Sequence, residues 1–413
     1  MAVQIDISGA DPQGQVFLTW APVAATAKLV GGAQGASPVN VVLRNGGTLG
    51  GLVFDTTRSD QGADTLPLQL PADGQPVNFW IAGEFQKPSS AYGDAVVQAT
   101  DAAGNVLGSK AVMVRIRKNA QTLSAPERDR FLAALGTLNA QGQGAYKDFR
   151  DMHTQDSNTE IHGNPSFLPW HRGYVLDLER ALQAIDATVA VPYWRFDQAA
   201  PAIFTQDFMG EYDDGSDLVV FRPGHALEHW ATNVQVGITR QPLFDIDGAP
   251  DGVFTEARTL ALGNVFARFR GMEGNPHGSA HMSFDGPIDN ITIAVADPLF
   301  FMLHANVDRL WAKWQWVKHH ENPNDPDAYD PNDPQHRHKL TDTLWPWDGI
   351  AGAPRPPTAP GGPFPDSATT PLPGKKPRVE DTLDHLGVYN GSSLGFAYDD
   401  VPFELPPAAV AIG

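Results

Sequence analysis

The stretch DPLFFMLHANVDRLWAKWQWVKH, residues 297–319, has the apolar spacing of a long amphipathic helix. Leucine, valine and tryptophan side chains recur along one face, and His304 and Asp308 lie one turn apart on the neighbouring face. We expect Asp297 to be the N-cap and Pro298 to follow in the first turn, which is a common way for a helix to begin. A histidine on the inner side of such a helix needs a polar partner or a metal ion, because burying an unpartnered imidazole is unfavourable.

The same helical spacing extends over most of residues 118–320. Ser124, followed by proline and glutamate, predicts the start of a first helix. His153 shares the apolar stripe of a second helix, and His171 lies on the stripe of a third, over residues 167–186. Each of these histidines is therefore predicted to face the core of a helical region.

The chain on either side of this helical region has a different character. Residues 1–117 contain short apolar or alternating runs separated by turn residues every 8–15 positions, which predicts an all-β, sandwich-like domain. After about residue 321 the chain is polar and rich in proline, with short strands predicted around residues 388–405. We therefore divide the chain into an accessory β domain (1–117), a helical domain (118–350) and a Pro-rich tail that packs on the core (351–413).

Composition excludes several classes of function. The formal net charge of −19 over 413 residues argues against nucleic acid or an anionic membrane as a partner. The absence of cysteine excludes disulfides, thiolate ligands and cysteine nucleophiles. No signal peptide is visible and no apolar run is long enough to span a membrane, so we expect a soluble protein that is cytoplasmic or is exported by a route not encoded in this chain.

Thirteen histidines are present, and six of them form a pattern. One set falls at intervals of nine residues; the other has two histidines one helical turn apart in NPHGSAHMSFDG and a third 23 residues later. The two sets are His153, His162 and His171, and His277, His281 and His304. Six core-facing imidazoles would be unfavourable without a metal, so the pattern predicts two metal ions held by three histidines each.

The donor type favours copper as the metal. Three neutral imidazoles per ion, with no carboxylate or thiolate, suit copper. A hydrolytic pair of metal ions would instead favour bridging Asp or Glu ligands, which neither set supplies. A dizinc site stays open as the alternative.

Two local sequences carry a family resemblance. HGNPSFLPWHRGYVLDLE (162–179) and DPLFFMLHANVD (297–308) are similar, position for position, to the two copper-binding signatures of the tyrosinase family. Over about residues 118–350 the chain thus resembles type-3 dicopper proteins such as tyrosinase, catechol oxidase and other polyphenol oxidases. The resemblance implies a mainly α catalytic domain in which a four-helix core holds the dicopper site, with O2 as co-substrate and small phenols as substrates.

The resemblance also assigns roles to single residues. The first set of histidines would bind one copper ion and the second set the other. Glu273, four residues before His277, stands where plant-type members carry a glutamate that orients a water near the metal pair, so it is the predicted proton acceptor. Gly278 stands where strong monophenol hydroxylases often have asparagine, which favours o-diphenols as substrates.

Four further residues are predicted near the ligands or the substrate. Met282 and Phe300 are expected beside the ligand imidazoles or the phenol, with ordinary core packing as an equal reading for Phe300. Asp308 is expected to orient ligands or to form an ion pair with Arg172 or Arg309.

The function implied by the resemblance is oxidation of o-diphenols to o-quinones by O2, with o-hydroxylation of monophenols as an open addition. Two alternatives remain, namely haemocyanin-like O2 binding without turnover, and o-aminophenol oxidation. An aromatic residue of the tail, Tyr389, Phe396 or Tyr398, is a candidate to cover the site.

Six of the seven remaining histidines are predicted to serve no metal. His225 and His229 are also four residues apart but are not followed by a copper signature, so we expect them at the surface or at the rim of the site. The others are assigned to a helix end or a polar loop. They are His319, His320, His336 and His338.

Overall fold

The chain, seen here in a computed structural model, divides into two compact units. The structure describes residues 2–31, 37–140, 144–212, 218–231, 236–330 and 338–406. The first unit comprises residues 1–116, 367–372 and 385–413, and the second comprises residues 117–366 and 373–384. The tail that we predicted as one piece is therefore shared between the two units.

The first unit is built from two β-sheets, which confirms the predicted N-terminal β region. Its strands are β1 (Ala2–Ile7), β2 (Phe17–Leu18), β3 (Val23–Val30), β4 (Val39–Asn45), β5 (Leu52–Asp55), β6 (Thr65–Leu70), β7 (Val77–Gly83), β8 (Ala95–Thr100) and β9 (Val106–Val114). One sheet has the order β1-β3-β7-β5 and is antiparallel throughout. The other has the order β2-β9-β8-β4-β6, with β2 parallel to β9.

Alternating side chains of both sheets form one apolar core in this unit. Two of these strands, β3 and β6, have sequences that are atypical of a strand. β3 is rich in alanine, which has a low strand propensity, and β6 contains Pro67. β6 lies at an edge of its sheet, which is where a strand tolerates proline.

The second unit is helical where it carries the clustered histidines. Its α-helices among the described residues are α1 (Ala125–Asn139), α2 (Tyr146–Met152), α3 (Asn158–Ile161), α4 (Phe167–Gln183), α5 (Glu256–Leu260), α6 (Phe266–Phe269), α7 (Ser279–His281) and α8 (Leu299–Lys318). α4 and α8 are the two longest of these helices, with 17 and 20 residues, and they pack against each other. A four-helix core is not confirmed, because the other helices that contain or directly precede a clustered histidine have seven residues or fewer.

Two predicted starts of helices can be compared with the structure. Ser124 is the N-cap of α1, and its N–H donates to the carboxylate of Glu127. α8 begins one residue later than predicted, with Pro298 at the N-cap, yet Asp297 still accepts the N–H of Leu299 at 2.9 Å. The aspartate therefore serves the helix end as expected, although it lies one position further out.

Two stretches differ from the predicted secondary structure. The described residues between 184 and 255 contain no helix, because Pro and Gly interrupt the apolar spacing there. Described residues 388–405 contain no strand of two or more residues, so the short strands predicted for them are wrong. Among the described residues, no helix combines the length and apolarity needed to cross a membrane.

Candidate metal centre

The first histidine set comes from three consecutive segments of the second unit. His153 directly follows α2, His162 directly follows α3, and His171 lies in the second turn of α4. One ring nitrogen from each lies within 4.8 Å of the others, which is close enough for small side-chain rotations to bring all three to about 2 Å from one metal ion.

The second set comes from a short turn and a long helix. His277 lies in a π-helical turn, Gly274–Gly278, His281 ends α7, and His304 lies in α8. Their ligand nitrogens also lie within 4.8 Å of one another. The Nε2 atoms of His281 and His304 are 3.2 Å apart, a separation that suits two ligands of the same ion.

The two sets adjoin each other. The rings of His171 and His304 are stacked, with centroids 4.4 Å apart, and the rings of His162 and His277 have centroids 6.3 Å apart. Two ions, one held by each set, would therefore be close neighbours. Because α4 and α8 pack together, each places one histidine at this junction.

Three of the six imidazoles have a defined tautomer. The Nδ1 atoms of His171, His277 and His281 lie 2.7–2.8 Å from the backbone carbonyls of Phe167, Glu273 and Ile288. A carbonyl only accepts a hydrogen bond, so Nδ1 carries the hydrogen and Nε2 of the neutral ring has a lone pair. This is the arrangement by which proteins orient a histidine towards a metal.

Several ring nitrogens of the cluster are buried without a partner. Both nitrogens of His153 and of His162 have none, nor do the Nε2 atoms of His171 and His277. Burial also lowers the pKa of all six histidines, to about 3 for His153 and about 4 for His281. The cluster is thus a set of uncharged donors, which fits copper.

Phe300 lies between the two sets. Its ring stacks on His304 with centroids 4.1 Å apart and contacts His153 at 4.9 Å, edge to face. Two aromatic residues that we did not predict also pack on the cluster: Phe167 on His171 and Tyr174 on His153. Both lie within four residues of His171 along α4, so helical spacing could have identified them.

Glu273 links the two sets. Its Oε1 accepts the N–H of Gly163, directly after His162, at 2.6 Å, while its backbone carbonyl accepts Nδ1–H of His277. Burial raises the pKa of this carboxyl to about 7, although the Gly163 N–H and the Arg270 guanidinium act in the opposite direction. The other carboxylate oxygen, Oε2, has no hydrogen-bond partner among the described residues.

Comparison with known proteins identifies the family. Residues 143–251 and 242–317 match the family model of the common central domain of tyrosinase, and these ranges include all six histidines. The chain is 30% identical to a tyrosinase of Streptomyces antibioticus over 272 residues, which cover 58% of this chain and 94% of that protein. It is 33% identical to a tyrosinase of Streptomyces glaucescens over 230 residues, covering 48% and 82%.

The chain belongs to the tyrosinase family of type-3 copper proteins. A family member binds two copper ions through histidines and uses O2 as its usual co-substrate, and the two sets described above provide suitable donors. Hemocyanin 2 of Megathura crenulata is also similar, at 28% identity over 290 residues, covering 66% of this chain and 7% of that protein.

Two residues of this tyrosinase-family site flank the second set. Gly278 follows His277 in helical conformation, and a Cβ added there would have Glu273 O, at 3.5 Å, as its nearest neighbour. Met282 follows His281 and is 61% exposed, which is unusual for an apolar residue beside a buried cluster. Both positions can therefore accept a change of side chain without repacking.

Asp308 forms a buried ion-pair network that ties α4 to α8. Its carboxylate accepts hydrogen bonds from Arg172 at 2.5 Å and from Arg117 at 3.1 Å. Arg117 also donates to Glu179 at 2.8 Å. Of the two predicted partners, Arg172 pairs with Asp308, whereas Arg309 pairs with Glu256.

The other histidines of this tyrosinase-family chain lie outside both sets. His225 stacks on Phe221, and His229 is exposed. His319 is the C-cap of α8. Among the described residues, none of these joins a group that could hold a metal.

Two further histidines, His336 and His338, belong to the predicted polar loop. His336 lies outside the described residues. His338 is only 2% exposed, and its Nδ1 lies 2.7 Å from the hydroxyl of Ser166. His338 does lie outside regular secondary structure, as predicted, but a polar stretch of sequence does not reveal that its side chain is buried.

The candidate covering residues have partners within the first unit. Phe396 stacks on His385 and contacts Tyr398, whose carbonyl accepts the indole N–H of Trp20. Tyr389 packs against the apolar core of that unit. That one of them covers the copper site stays a prediction.

Proposed function

We propose that this protein is a type-3 copper phenol oxidase that uses O2 to oxidise o-diphenols to o-quinones. The observation that carries the proposal is the pair of adjoining histidine sets in which several buried ring nitrogens have no hydrogen-bond partner. His153, His162 and His171 would hold one copper ion, and His277, His281 and His304 the other. Copper supplies the redox chemistry with O2, which no protein side chain provides.

Glu273 is the proposed proton acceptor. Its Oε2 is available, and its position beside the residue that follows His162 brings it next to both sets. A phenol that docks at the copper pair would lose its hydroxyl proton to this oxygen, directly or through one water. Phe300 and the buried helices would keep water from the ligand rings.

We further propose that the second unit is the catalytic domain, the first unit an accessory one, and that o-diphenols are preferred over monophenols. Gly278 offers no side chain to assist deprotonation of a monophenol, which supports this preference. o-Hydroxylation would then be weak. An o-aminophenol oxidase would use the same copper ligands with a different aromatic substrate. A protein that binds O2 without turnover would oxidise none of these substrates.

Reconstitution with copper tests the proposal. The purified protein should bind two copper ions per chain and consume O2 with catechol, faster than with tyrosine. His171→Ala and His304→Ala should each retain one ion and lose O2 consumption, whereas His320→Ala, which removes a histidine outside both sets, should retain both.

The remaining outcomes distinguish the alternatives. Reversible O2 binding with no consumption on catechol, tyrosine or o-aminophenol would favour a carrier, and consumption with o-aminophenol alone would favour that oxidase. Uptake of a single metal ion per chain, or tighter binding of zinc together with hydrolytic activity, would contradict the proposal.

A further inference from the structure

We infer that His338 is a positioning residue for the first copper ion, acting through Ser166 and Asn164 on the segment that carries His162. The inference rests on the proposed function, since it concerns the ligand set of that site. His338 lies 172 residues after Ser166 in the sequence, and all three side chains are almost fully buried.

His162 lacks the restraint that orients other members of the cluster. The Nδ1 atoms of His171, His277 and His281 each bond a backbone carbonyl, whereas neither ring nitrogen of His162 has a partner. The backbone around His162 must therefore hold the ring in place. It is held from one side by Glu273, which accepts the N–H of Gly163.

Asn164 holds the same backbone from the other side. Its Nδ2 donates to the carbonyl of His162 at 3.0 Å and to the carbonyl of Glu160 at 3.0 Å. Because carbonyls only accept, these two bonds identify Nδ2 as the donor of the amide, and Oδ1 is therefore its acceptor. Oδ1 accepts the backbone N–H of Ser166 at 2.9 Å and lies 2.8 Å from the Ser166 hydroxyl.

The direction of the next hydrogen bond follows from proton counting. A serine hydroxyl has one hydrogen, and the 2.8 Å contact between Ser166 Oγ and Asn164 Oδ1 requires it, because two acceptors would otherwise repel each other. The hydroxyl can then only accept from His338, at 2.7 Å. His338 Nδ1 must therefore carry a hydrogen and act as the donor.

Helix capping does not account for this arrangement. Ser166 is the N-cap residue of α4, yet its side chain makes no capping bond to the helix. Its hydroxyl is directed to Asn164 and His338 instead. A serine at an N-cap ordinarily accepts an N–H of the first turn, so the departure indicates another role.

His338 is itself held at its backbone. Its carbonyl accepts the hydroxyl of Tyr329 at 2.7 Å, and the Tyr329 ring packs on Phe266 of α6. The donor is thus attached to the core of the second unit. The path runs from this core through His338, Ser166 and Asn164 to the carbonyl of His162.

Two substitutions of His338 distinguish the effect of its hydrogen-bond donor from the effect of its ring. In His338→Asn, the amide Nδ2 can take the place of Nδ1 and keep the hydrogen bond. In His338→Phe, the ring is kept and the donor is lost. Ser166→Ala removes the hydroxyl without changing His338, and His320→Phe removes a histidine whose hydrogen bonds do not involve Ser166 or Asn164.

The readouts are copper bound per chain, copper affinity and the electron paramagnetic resonance signal of the oxidised protein. Two adjacent coupled copper(II) ions give little signal, whereas a lone ion gives a full one. His338→Phe and Ser166→Ala should bind the first copper about 10–100-fold more weakly, the range found when a partner of a ligand is removed, and should show the signal of a lone ion. His338→Asn and His320→Phe should behave as wild type.

The outcomes are distinguishable from failure of the proposed function. Two tightly bound ions in His338→Phe and in Ser166→Ala would overturn the inference and leave the function intact. Equal losses in His338→Asn and His338→Phe would also overturn it, because packing rather than the donor would then matter. If His338→Phe fails to fold, Ser166→Ala decides. A wild-type protein that binds no copper pair would overturn both.

Discussion

Two neighbouring residues, Glu273 and Gly278, define the immediate surroundings of His277. The carbonyl of Glu273 sets the orientation of the ring, and Gly278 leaves open space on the turn that follows. The Cβ of a side chain introduced at position 278 would lie 3.5 Å from the backbone carbonyl oxygen of the proposed proton acceptor. The position therefore offers a direct way to change the chemistry without changing a ligand.

We predict that Gly278→Asn raises the rate of O2 consumption with monophenols relative to o-diphenols, by about tenfold, because an added amide can assist proton transfer. The substitution fits, since the nearest atom to the new Cβ is at an ordinary contact distance and the backbone is helical. O2 uptake with tyrosine and with catechol measures the ratio.

Gly278→Ala is the matched control for this prediction, because it adds the Cβ without the amide. It should leave the ratio at the wild-type value. An equal rise in both variants would show that the shape of the turn, and not the amide, decides the preference.

Asp177 is a buried acid whose ionised form destabilises the folded protein. It lies in α4, and its carboxylate accepts the indole N–H of Trp347 at 2.6 Å. Burial raises its pKa from 3.8 to about 7, and the Trp347 hydrogen bond and the Arg180 guanidinium only partly offset this. The stabilising protonated form is fully present below about pH 4 and is lost as the pH rises through about 7.

We predict that Asp177→Asn stabilises the protein at pH 8.5 and not at pH 4. The amide keeps an acceptor for Trp347 and cannot ionise, so the gain in the free energy of unfolding at pH 8.5 is expected to reach at most roughly 4 kcal/mol. Urea unfolding at the two pH values measures it. Exposed Asp129→Asn serves as the control, and an equal gain at both pH values would contradict the prediction.

At the scale of elements, the pairing of α4 with α8 decides where the two histidine sets meet. Arg172 follows His171 in α4, and Asp308 lies one turn after His304 in α8. The buried ion pair between them therefore joins the helices beside the stacked rings of these two histidines. Arg117 and the carbonyl of Thr382 extend the network.

We predict that Asp308→Asn lowers the free energy of unfolding by about 3–5 kcal/mol, because it removes the charge of a buried carboxylate that pairs with the buried guanidinium groups of Arg172 and Arg117. Chemical unfolding measures the loss. Copper content should fall as well, since the helices that carry His171 and His304 would no longer be held in register.

Asp207→Asn is the control for this loss. Asp207 pairs with Arg222 at the surface, where both side chains are about half exposed. The change is expected to be below ~1 kcal/mol. A similar effect of both substitutions would mean that burial of the Asp308 network contributes nothing.

At the scale of the whole molecule, the first unit is assembled from distant parts of the chain. Its core includes Leu386, Val388, Ala397 and Phe403 together with the side chains of the N-terminal strands. The C-terminal segment is therefore part of the fold of this unit. Removing it would expose apolar surface on the strands.

We predict that Leu386→Ala lowers the free energy of unfolding of the first unit by about 2–5 kcal/mol, as expected for a leucine that is 2% exposed. Leu49→Ala, at a position in the same unit that is 57% exposed, is the control and should change it by about 0.5 kcal/mol or less. Urea unfolding, monitored by limited proteolysis, measures the free energy of unfolding of both variants. Equal effects would place Leu386 outside the core.

Local sequence was informative where short-range geometry decides the outcome. The helical spacing around His171 and His304 predicted that both face the core, because side chains three or four positions apart share a face of a helix. The alternating apolar runs likewise predicted the β region. Ser124 predicted the start of α1, and Asp297 predicted the start of α8 to within one residue, since capping depends on residues in contact along the chain.

The sequence by itself determined which residues are chemically able to form the centre: six histidines in two sets, no cysteine, and a glutamate four residues before His277. Only the tertiary structure decided that Glu273 bonds the segment after His162, that Arg117 joins the Asp308 pair, and that His338 reaches Ser166. These contacts join residues from 110 to 191 positions apart. No spacing rule describes them, because they depend on how helices and loops pack once the core has formed.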